Sequence, residues 1–413
     1  MIFRSYLRNS FGLIVIQGLN LLVPVLLIPI VTHVQGVEGY GEYATVLAYY
    51  YFCGLVCDYG FDLSSVRALK IQEGNSAERT SIIRGTLSAK WLLFVIAGPA
   101  FAALLATLTN VQNVTLLVVG LLLPCANVFS VHWLYLAEGR LTQLLMPIAL
   151  ARLTSLAAMV AVYPRWPSTT LIVLLTATPI LSVHIVFWIR EQRALQVGNW
   201  FSLSEGMRAI RLGFTAFYIT FLSSYISMSA VPVLSALAPA KEVGVLAAVE
   251  RMAKAGFGVL KPFLVALYPE MSAMFKESTA RWSSVVGRVI AIGCAIGAAS
   301  AIFISCFWTK VSAIFLGDPL PGSEWIAYGY AAWLTLGVVN NAIGIQGLIA
   351  SGNELVYRRA VTTAAGALTM GYLAFGTRGG ALGIVFALLV AEAVLLLLNA
   401  RAFLRLRRQQ NVA

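Results

Sequence analysis

The chain has 413 residues, of which 59% are hydrophobic and only 11% are charged, and its mean hydropathy is +0.83. Because a soluble globular domain is about 25% charged, this composition excludes a soluble protein and predicts an all-α integral membrane protein. The net charge is +12, but no Lys/Arg run is interleaved with aromatic residues in a soluble segment, so we expect no nucleic-acid partner.

Apolar runs long enough to cross a bilayer as a helix, about 20 residues, recur along the whole chain. The first follows MIFRSYLRNSFGLIV with no small-residue cleavage site, so we expect a transmembrane helix rather than a cleaved signal peptide. The twelve predicted spans are 11–33, 41–66, 86–108, 113–136, 143–163, 168–189, 210–236, 242–268, 286–308, 324–350, 358–376 and 379–403. They form two six-helix bundles, residues 1–205 and 206–413, around a central cavity.

Lys and Arg residues are distributed unequally between the two sets of connectors. With both termini in the cytoplasm, the cytoplasmic segments hold 20 of the 29 Lys and Arg residues and the outer loops hold 4. This is the positive-inside pattern, and it predicts that both termini are cytoplasmic. Five further cations lie within spans and more than three residues from a span end: Lys90, Arg152, Arg251, Lys254 and Lys261.

The two halves of the chain echo each other. The segment PIVTHVQGVEGYGEYATV (29–46) aligns with PVLSALAPAKEVGVLAAV (232–249) at an offset of 203 residues, and NVFSVHWLYLAEG (127–139) aligns with NNAIGIQGLIASG (340–352) at 213. Repeats with an even number of spans keep the same orientation, so the bundles are predicted to be parallel copies about an axis along the membrane normal. Rocking two such bundles opens a central cleft to one side at a time.

Three segments carry a resemblance to a known family: GLNLLVPVLLIPIVTHVQGVEGYGEYATV (18–46), DYGFDLSSVRAL (58–69) and VHWLYLAEGRL (131–141). They resemble the Wzx-type O-antigen and oligosaccharide flippases of the multidrug/oligosaccharidyl-lipid/polysaccharide exporter superfamily. The lipid II flippases are also similar but carry fourteen spans, for which this chain has no room.

The resemblance implies a function in the bacterial inner membrane, within the synthesis of the O-antigen of lipopolysaccharide. An undecaprenyl-diphosphate-linked oligosaccharide would pass from the cytoplasmic to the periplasmic leaflet through a cationic cavity. For some relatives the resemblance also implies coupling to a proton or sodium gradient. The implied partners are the lipid-linked oligosaccharide, membrane lipids, a polysaccharide polymerase and a chain-length regulator, with no cofactor.

The predicted span 242–268 carries charges that cost about 2.5 to 3.5 kcal/mol each near a membrane centre. At about 100° per residue, Glu250, Lys254 and Lys261 fall within about 40° of one another, and Arg251 lies on an adjoining face. Glu250 and Lys254 are an i,i+4 pair in the favourable order. We expect the cations, with Arg152 of the first bundle, to guide the substrate diphosphate. The alternative is that they only pair with acids between helices.

Acidic residues within spans are candidates for coupling or gating: Asp58, Asp62, Glu250 and Glu392. The 203-residue offset maps Lys261 onto Asp58, which predicts that these two residues face each other across the pseudo-twofold axis. Asp58 and Asp62 are four residues apart and repel unless one is protonated or countered. The alternative is that both pair with Arg67 or Arg84 near the cytoplasmic end. Tyr49, Tyr50 and Tyr51 are candidates for stacking on sugar rings or for packing.

Other functions find little support in the sequence. It contains no Walker-type glycine loop, HExxH, GxSxG or DxD-like pair, and its three histidines are too dispersed for a metal site. Two alternatives remain open. A small-molecule antiporter of the same superfamily needs an acidic or aromatic cavity. A polysaccharide polymerase or glycosyltransferase needs a large extramembrane loop, whereas the longest connectors here have about 20 residues.

Overall fold

The computed structural model describes residues 2–72, 76–195, 200–317 and 320–412. Within these ranges every regular element is a helix and there is no strand, so the predicted all-α fold is confirmed. The side chains of Lys261 and of most residues before Leu22 lie outside the description. The chain divides into two compact units, Met1–Gln35 with Gly39–Phe221 and Gly36–Glu38 with Leu222–Ala413.

In the described part of the first unit there are nine helices, and α9 ends beyond the unit's boundary. The long helix α1 departs from helical dihedral angles at Gly36 (φ 74°), and Asn113 caps α4 by accepting hydrogen bonds from the backbone of Thr115 and Leu116. The helices are α1 (Ile2–Asp58), α2 (Phe61–Ile71), α3 (Ser76–Leu108), α4 (Val114–Gly120), α5 (Leu122–Phe129), α6 (His132–Ala137), α7 (Leu141–Val162), α8 (Thr169–Leu195) and α9 (Leu203–Met228).

Helices α10 to α15 build the second unit, together with two π-helical segments. Ser278 caps α12 by accepting from the backbone N–H of Arg281, and Gly380 (φ 52°) breaks the regular geometry near the start of α15. The elements are α10 (Ala230–Ser235), α11 (Ala240–Glu277), α12 (Thr279–Leu316), α13 (Ser323–Asn340), the π segment Asn341–Ile349, α14 (Glu354–Gly371), the π segment Tyr372–Gly376 and α15 (Thr377–Val412).

All twelve predicted spans lie on helices of the described chain. By length and hydropathy, 9 segments of the described residues qualify as membrane spans. Leu22–Ile71 covers part of the predicted span 11–33 and all of 41–66, and Glu354–Arg408 covers both 358–376 and 379–403. The charged helix α11 is not among the 9. The division after residue 205 into two six-helix bundles around a cavity stays a prediction.

The first turn of α9 and the residues just before it are fastened to α3 of the first unit. Glu205 accepts from the guanidinium of Arg84, with Nη2 of Arg84 2.5 Å from Oε1, and from the hydroxyl of Ser81. The hydroxyl of Ser88 accepts from the backbone N–H of Ser202 at 2.9 Å. Trp200 closes a ring of four aromatic side chains, with centroid distances between 5.2 and 6.1 Å. The ring members are Trp91, Phe129, Trp188 and Trp200.

The sequence echo has structural counterparts in the two units. Gly139 and Gly352, which the 213-residue offset pairs, both adopt positive φ (68° and 82°), as glycine does just after a helix end. Outside the positions that the two offsets pair, a glutamate also holds the start of a long helix in each unit. Glu42 accepts from the hydroxyl of Thr169 in α8, and Glu242 accepts from the backbone N–H of Ala381 in α15 at 2.6 Å.

Candidate functional site

Lys90 is the centre of a charged cluster in the first unit. It lies within α3 and its side chain is only 2% exposed. Its ammonium group donates to Oδ1 of Asp58 at 2.9 Å, to the carbonyl of Asn127 at 3.0 Å and to the carbonyl of Ser130 at 3.2 Å. Because α5 ends at Phe129, these carbonyls belong to a helix C-terminus, which favours a cation. The three acceptors match the three donors of the ammonium group.

A second contact between an acid and a basic side chain lies on the other side of a tight turn. Oδ2 of Asp62 is 3.3 Å from Nδ1 of His132, the first residue of α6. Tyr59 (φ 46°) and Gly60 (φ 68°) form a left-handed turn between α1 and α2. A β-carbon on Gly60 would come within 2.8 Å of the backbone of Ala216 in α9, so the turn needs glycine for contact as well as for conformation.

The predicted relationship between Asp58 and Asp62 requires correction. The sequence places them at i,i+4 on one helix, but α1 ends at Asp58 and the left-handed turn separates them. Each carboxylate has its own basic partner, so their mutual repulsion is countered as the sequence analysis required. In the described residues neither acid forms an ion pair with Arg67 or Arg84, and Arg84 pairs with Glu205. The side chain of Lys261 is not described, so its pairing with Asp58 stays a prediction.

Lys90 and His132 are the site residues that sequence reasoning missed. Lys90 was recognised as a cation within a span, yet it was given no role. His132 is one of the three histidines that are too dispersed for a metal site, and the sequence assigns it no functional role. The available signal was that a single lysine inside LSAKWLLFV needs a buried acceptor, and Asp58 is the acid at a comparable depth.

Cations and histidines gather around this cluster. His184 of α8 is buried and lies within electrostatic reach of Lys90, His132 and Arg152. The structure therefore places Arg152, a predicted substrate ligand in α7, in the same part of the first unit as Lys90. Arg152 is partly buried and takes part in an interaction within the protein.

The segment VHWLYLAEGRL, which carried the family resemblance, forms a network at the end of α6. Glu138 pairs with both Arg79 and Arg140, and Arg140 also lies 3.5 Å from Glu191. The hydroxyl of Tyr135 donates to Glu191 at 2.5 Å. Burial by itself lowers the pKa of Arg140, but the hydrogen bond and charge of Glu138 raise that pKa above its usual value. The motif thus fixes the loop between α6 and α7.

The three consecutive tyrosines of α1 differ in accessibility. Tyr49 and Tyr50 are buried, and the hydroxyl of Tyr50 donates to the carbonyl of Leu117 at 2.5 Å. Tyr51 is 42% exposed, and its ring packs edge-on against Phe52. Of the three stacking candidates, Tyr51 is therefore the accessible one.

In the second unit, α11 carries the charged stripe. Glu250 is buried and forms an ion pair with Lys254, which confirms the predicted i,i+4 pair. Buried Tyr330 of α13 lies beside Glu250. Arg251 is partly buried and takes part in an interaction within the protein. The side chain of Lys261 lies outside the described residues, so its contribution to the stripe stays a prediction.

Glu392 of α15 is held by Asn340, the last residue of α13. The Asn340 amide nitrogen donates to Oε2 of Glu392 at 2.6 Å and to the backbone carbonyl of Glu392 at 3.0 Å. Two further polar side chains are also buried. They are Gln346 in the following π segment and Asn399, which lies about two turns beyond Glu392 on the same face of α15. Asn340 is the repeat counterpart of Asn127, so the repeat was a signal for Asn340, whereas Asn127 binds Lys90 through its backbone carbonyl. Among the described residues no group of His, Cys, Asp and Glu is arranged to hold a metal ion.

Two solved structures share this fold across nearly the whole chain. The lipid II flippase MurJ in its inward closed conformation has a TM-score of 0.71 at 12% identity, covering 96% of this chain and 87% of MurJ. An inward-facing multidrug resistance MATE family transporter of the MOP superfamily has a TM-score of 0.66 at 15% identity, covering 95% and 96%. The chain is thus a multi-pass membrane protein whose fold is that of transporters rather than of enzymes.

Sequence comparison narrows this class to one family. The model of the polysaccharide biosynthesis protein family matches residues 6–275, and the chain belongs to that family. A protein of Escherichia coli (strain K12) named "Putative O-antigen transporter" is 24% identical over 276 residues, which is 65% of this chain and 65% of that protein. A protein of the same name from Shigella dysenteriae is 22% identical over 273 residues, 65% and 67% of the two chains. The alignment thus spans just under two thirds of the first relative.

Proposed function

We propose that this chain is a flippase for undecaprenyl-diphosphate-linked oligosaccharide. It transfers the sugar unit from the cytoplasmic to the periplasmic leaflet of the bacterial inner membrane by alternating access of its two halves. The observation that carries this proposal is the family match over residues 6–275. Two relatives of the chain are named as putative O-antigen transporters. The fold shared with a lipid II flippase supports it at the level of architecture.

The diphosphate is proposed to travel along the cations of α11. Lys254 is paired with Glu250, so a diphosphate with roughly two negative charges competes with that carboxylate for the ammonium group. Lys261 lies about 10 Å further along the helix axis, and Arg251 is next to Glu250 in sequence. Arg152 supplies a further cation from the first unit. In this scheme Lys254 pairs with the diphosphate when substrate is bound and with Glu250 when substrate is absent.

Coupling to an ion gradient is proposed to act through the carboxylates. Protonation of Asp58 removes the counter-charge of buried Lys90, whose three acceptors are then all neutral. A buried cation without its acid is strongly destabilised, so this protonation biases the first unit towards another conformation. Protonation would weaken the interactions of three other carboxylates in the same way. These are Asp62 with His132, Glu250 with Lys254, and Glu392 with Asn340.

The orientation and partners complete the proposal. The positive-inside bias supports a topology with both termini in the cytoplasm, where the lipid-linked sugar unit is assembled. A polysaccharide polymerase and a chain-length regulator act on the product in the opposite leaflet and are the proposed functional partners.

Substitution of two lysines tests the diphosphate route. The double variant Lys254→Ala, Lys261→Ala should insert normally but lose surface glycan display in cells that depend on this protein. The matched control is Lys241→Ala, Lys310→Ala, which removes two exposed lysines of the predicted outer loops. Normal display in the α11 variant would refute the diphosphate role, and loss in both variants would point to a general effect of charge.

An alternative function is export of small cations. Glu250 and Glu392 are buried carboxylates within the second unit, which suits a cationic drug, and a MATE transporter shares the fold. Efflux of ethidium from inverted vesicles distinguishes the two functions. The flippase proposal expects no efflux above that of empty vesicles, whereas efflux lost in Glu250→Gln would favour the antiporter.

A further inference from the structure

One end of the second unit carries a dense set of basic residues, here called the basic patch. Four helix ends contribute to it: the end of α11, the start of α12, the start of α14 and the end of α15. Its nine members, all exposed, are Lys276, Arg281, Arg288, Arg358, Arg359, Arg401, Arg405, Arg407 and Arg408.

These four helix ends are held together by a shared apolar core. Trp282 of α12 packs against Phe275 of α11 at 5.1 Å and against Phe403 of α15 at 5.0 Å, measured between ring centroids. Tyr357, at the start of α14, packs on the same core. The basic residues flank these aromatic side chains in sequence, so they surround one contiguous end of the unit.

The charges of the basic patch are not neutralised within the protein. The acids at this end are Glu270, Glu277 and Glu354, and none of the nine basic residues forms an ion pair with a described residue. The first unit differs at its corresponding end. There Arg79, Arg84, Arg140 and Arg208 are each paired with a glutamate. The positive-inside rule explains basic residues at both ends, but it does not explain why all nine at this end lack an acidic partner among the described residues, while four in the first unit have one.

The shape of the basic patch indicates its occupant. At about 100° per residue, Arg401, Arg405 and Arg408 fall within about 60° of one another on α15, on the side away from buried Phe403. The nine cations are spread over four helix ends rather than gathered around one cleft. Many separate single charges at the end of membrane-spanning helices fit this spread better than one multivalent ligand does.

We propose that the basic patch binds the phosphate headgroups of anionic phospholipids in the adjoining leaflet. Arginine forks bind phosphate oxygens bidentately, and their partners come from the lipid because the protein supplies too few acids. The interaction anchors the end of α15 at the membrane surface. It does not depend on the transport function proposed above, because the occupant is bulk lipid rather than substrate.

Lipid retention by the purified protein tests this proposal. The probes are phosphatidylglycerol and phosphatidylcholine at equal concentration in detergent, and native mass spectrometry counts the molecules retained on the folded protein. The wild-type protein should retain phosphatidylglycerol preferentially. The variant Arg401→Gln, Arg405→Gln, Arg407→Gln, Arg408→Gln should lower that preference at least about fivefold. Arg358→Gln, Arg359→Gln, from a different helix, should lower it by a smaller factor.

The matched control removes four exposed cations of the first unit that form no ion pair with described residues: Arg67→Gln, Lys70→Gln, Arg193→Gln and Arg211→Gln. It should keep the wild-type preference. An equal loss in the control and the α15 variant would mean a general attraction of cations to lipid and would overturn the proposal. Retention of both lipids alike by the wild-type protein would also overturn it. Farnesyl diphosphate serves as a third probe, and its binding without any preference for phosphatidylglycerol would likewise overturn the proposal.

Discussion

The ammonium group of Lys90 lies 2.9 Å from Oδ1 of Asp58, and the two side chains differ sharply in their exposed fraction. Lys90 is 2% exposed, whereas the side chain of Asp58 is 43% exposed. Lys90 therefore depends on Asp58 for its counter-charge, whereas Asp58 is less enclosed by the protein and also lies within electrostatic reach of His132. The pair is asymmetric, and its two partners should tolerate substitution differently.

The asymmetry predicts the ranking of two variants. Asp58→Ala leaves a buried, uncompensated ammonium group and should destabilise the protein by about 3 kcal/mol, while Lys90→Met should cost only about 1 kcal/mol. Thermal unfolding of the purified variants in detergent measures the order. The double variant Asp58→Ala, Lys90→Met should be more stable than Asp58→Ala alone. If Lys90→Met proved the more destabilising change, the asymmetry would be wrong.

Two substitutions of Glu392 should separate its effect on thermal stability from its effect on coupling to an ion gradient. Glu392→Gln keeps an oxygen that accepts from Asn340, so its thermal stability should be close to that of the wild type. Glu392→Leu leaves one Asn340 N–H without an acceptor and should cost about 1 to 3 kcal/mol. If Glu392 couples transport to a gradient, the glutamine variant should transport at a rate independent of that gradient. A glutamine variant that still responds to the gradient would exclude Glu392 from coupling.

The ion pair between Arg84 and Glu205 is expected to hold the first turn of α9 and the connector before it against α3. Glu205→Ala removes a two-pronged ion pair that is partly exposed, and it should weaken local docking by about 1 kcal/mol. Cleavage of the connector by a broad-specificity protease should then accelerate about fivefold. Glu78→Ala removes the longer, more exposed contact with Arg208 (3.6 Å) and serves as the control. Equal cleavage of the wild type and Glu205→Ala would show that the ion pair does not hold the connector.

Tyr50 and Tyr51 should respond to substitution in opposite ways. Tyr50→Phe removes the hydrogen bond to the carbonyl of Leu117 and should lower stability by about 1 kcal/mol with little effect on transport. Tyr51→Ala removes an exposed ring and should reduce transport of lipid-linked sugar with little effect on stability. Thermal unfolding and glycan display separate the two effects. Unchanged surface glycan display in Tyr51→Ala would show that Tyr51 does not stack on the sugar rings of the substrate.

The helical fold could be predicted from the sequence because apolar runs and the bias of Lys and Arg are local signals. The Glu250–Lys254 pair was predictable for the same reason, since four residues on a helix fix the distance between the side chains. The Lys90–Asp58 pair was not predictable in this way. It joins residues 32 positions apart, and the turn at Tyr59 and Gly60, which ends α1, is set by contact with Ala216 of α9. Asn340 was visible only through its repeat counterpart Asn127.

Direct transfer of lipid-linked oligosaccharide in proteoliposomes tests the central claim. The purified protein is reconstituted with a polyprenyl diphosphate that carries a labelled sugar, and the label that becomes accessible to an enzyme outside the vesicle is counted over time. We predict transfer by the wild type and by Lys241→Ala, Lys310→Ala, and at least about a tenfold loss in Lys254→Ala, Lys261→Ala. Transfer by the α11 variant at the wild-type rate, or no transfer by the wild type above protein-free vesicles, would contradict the account.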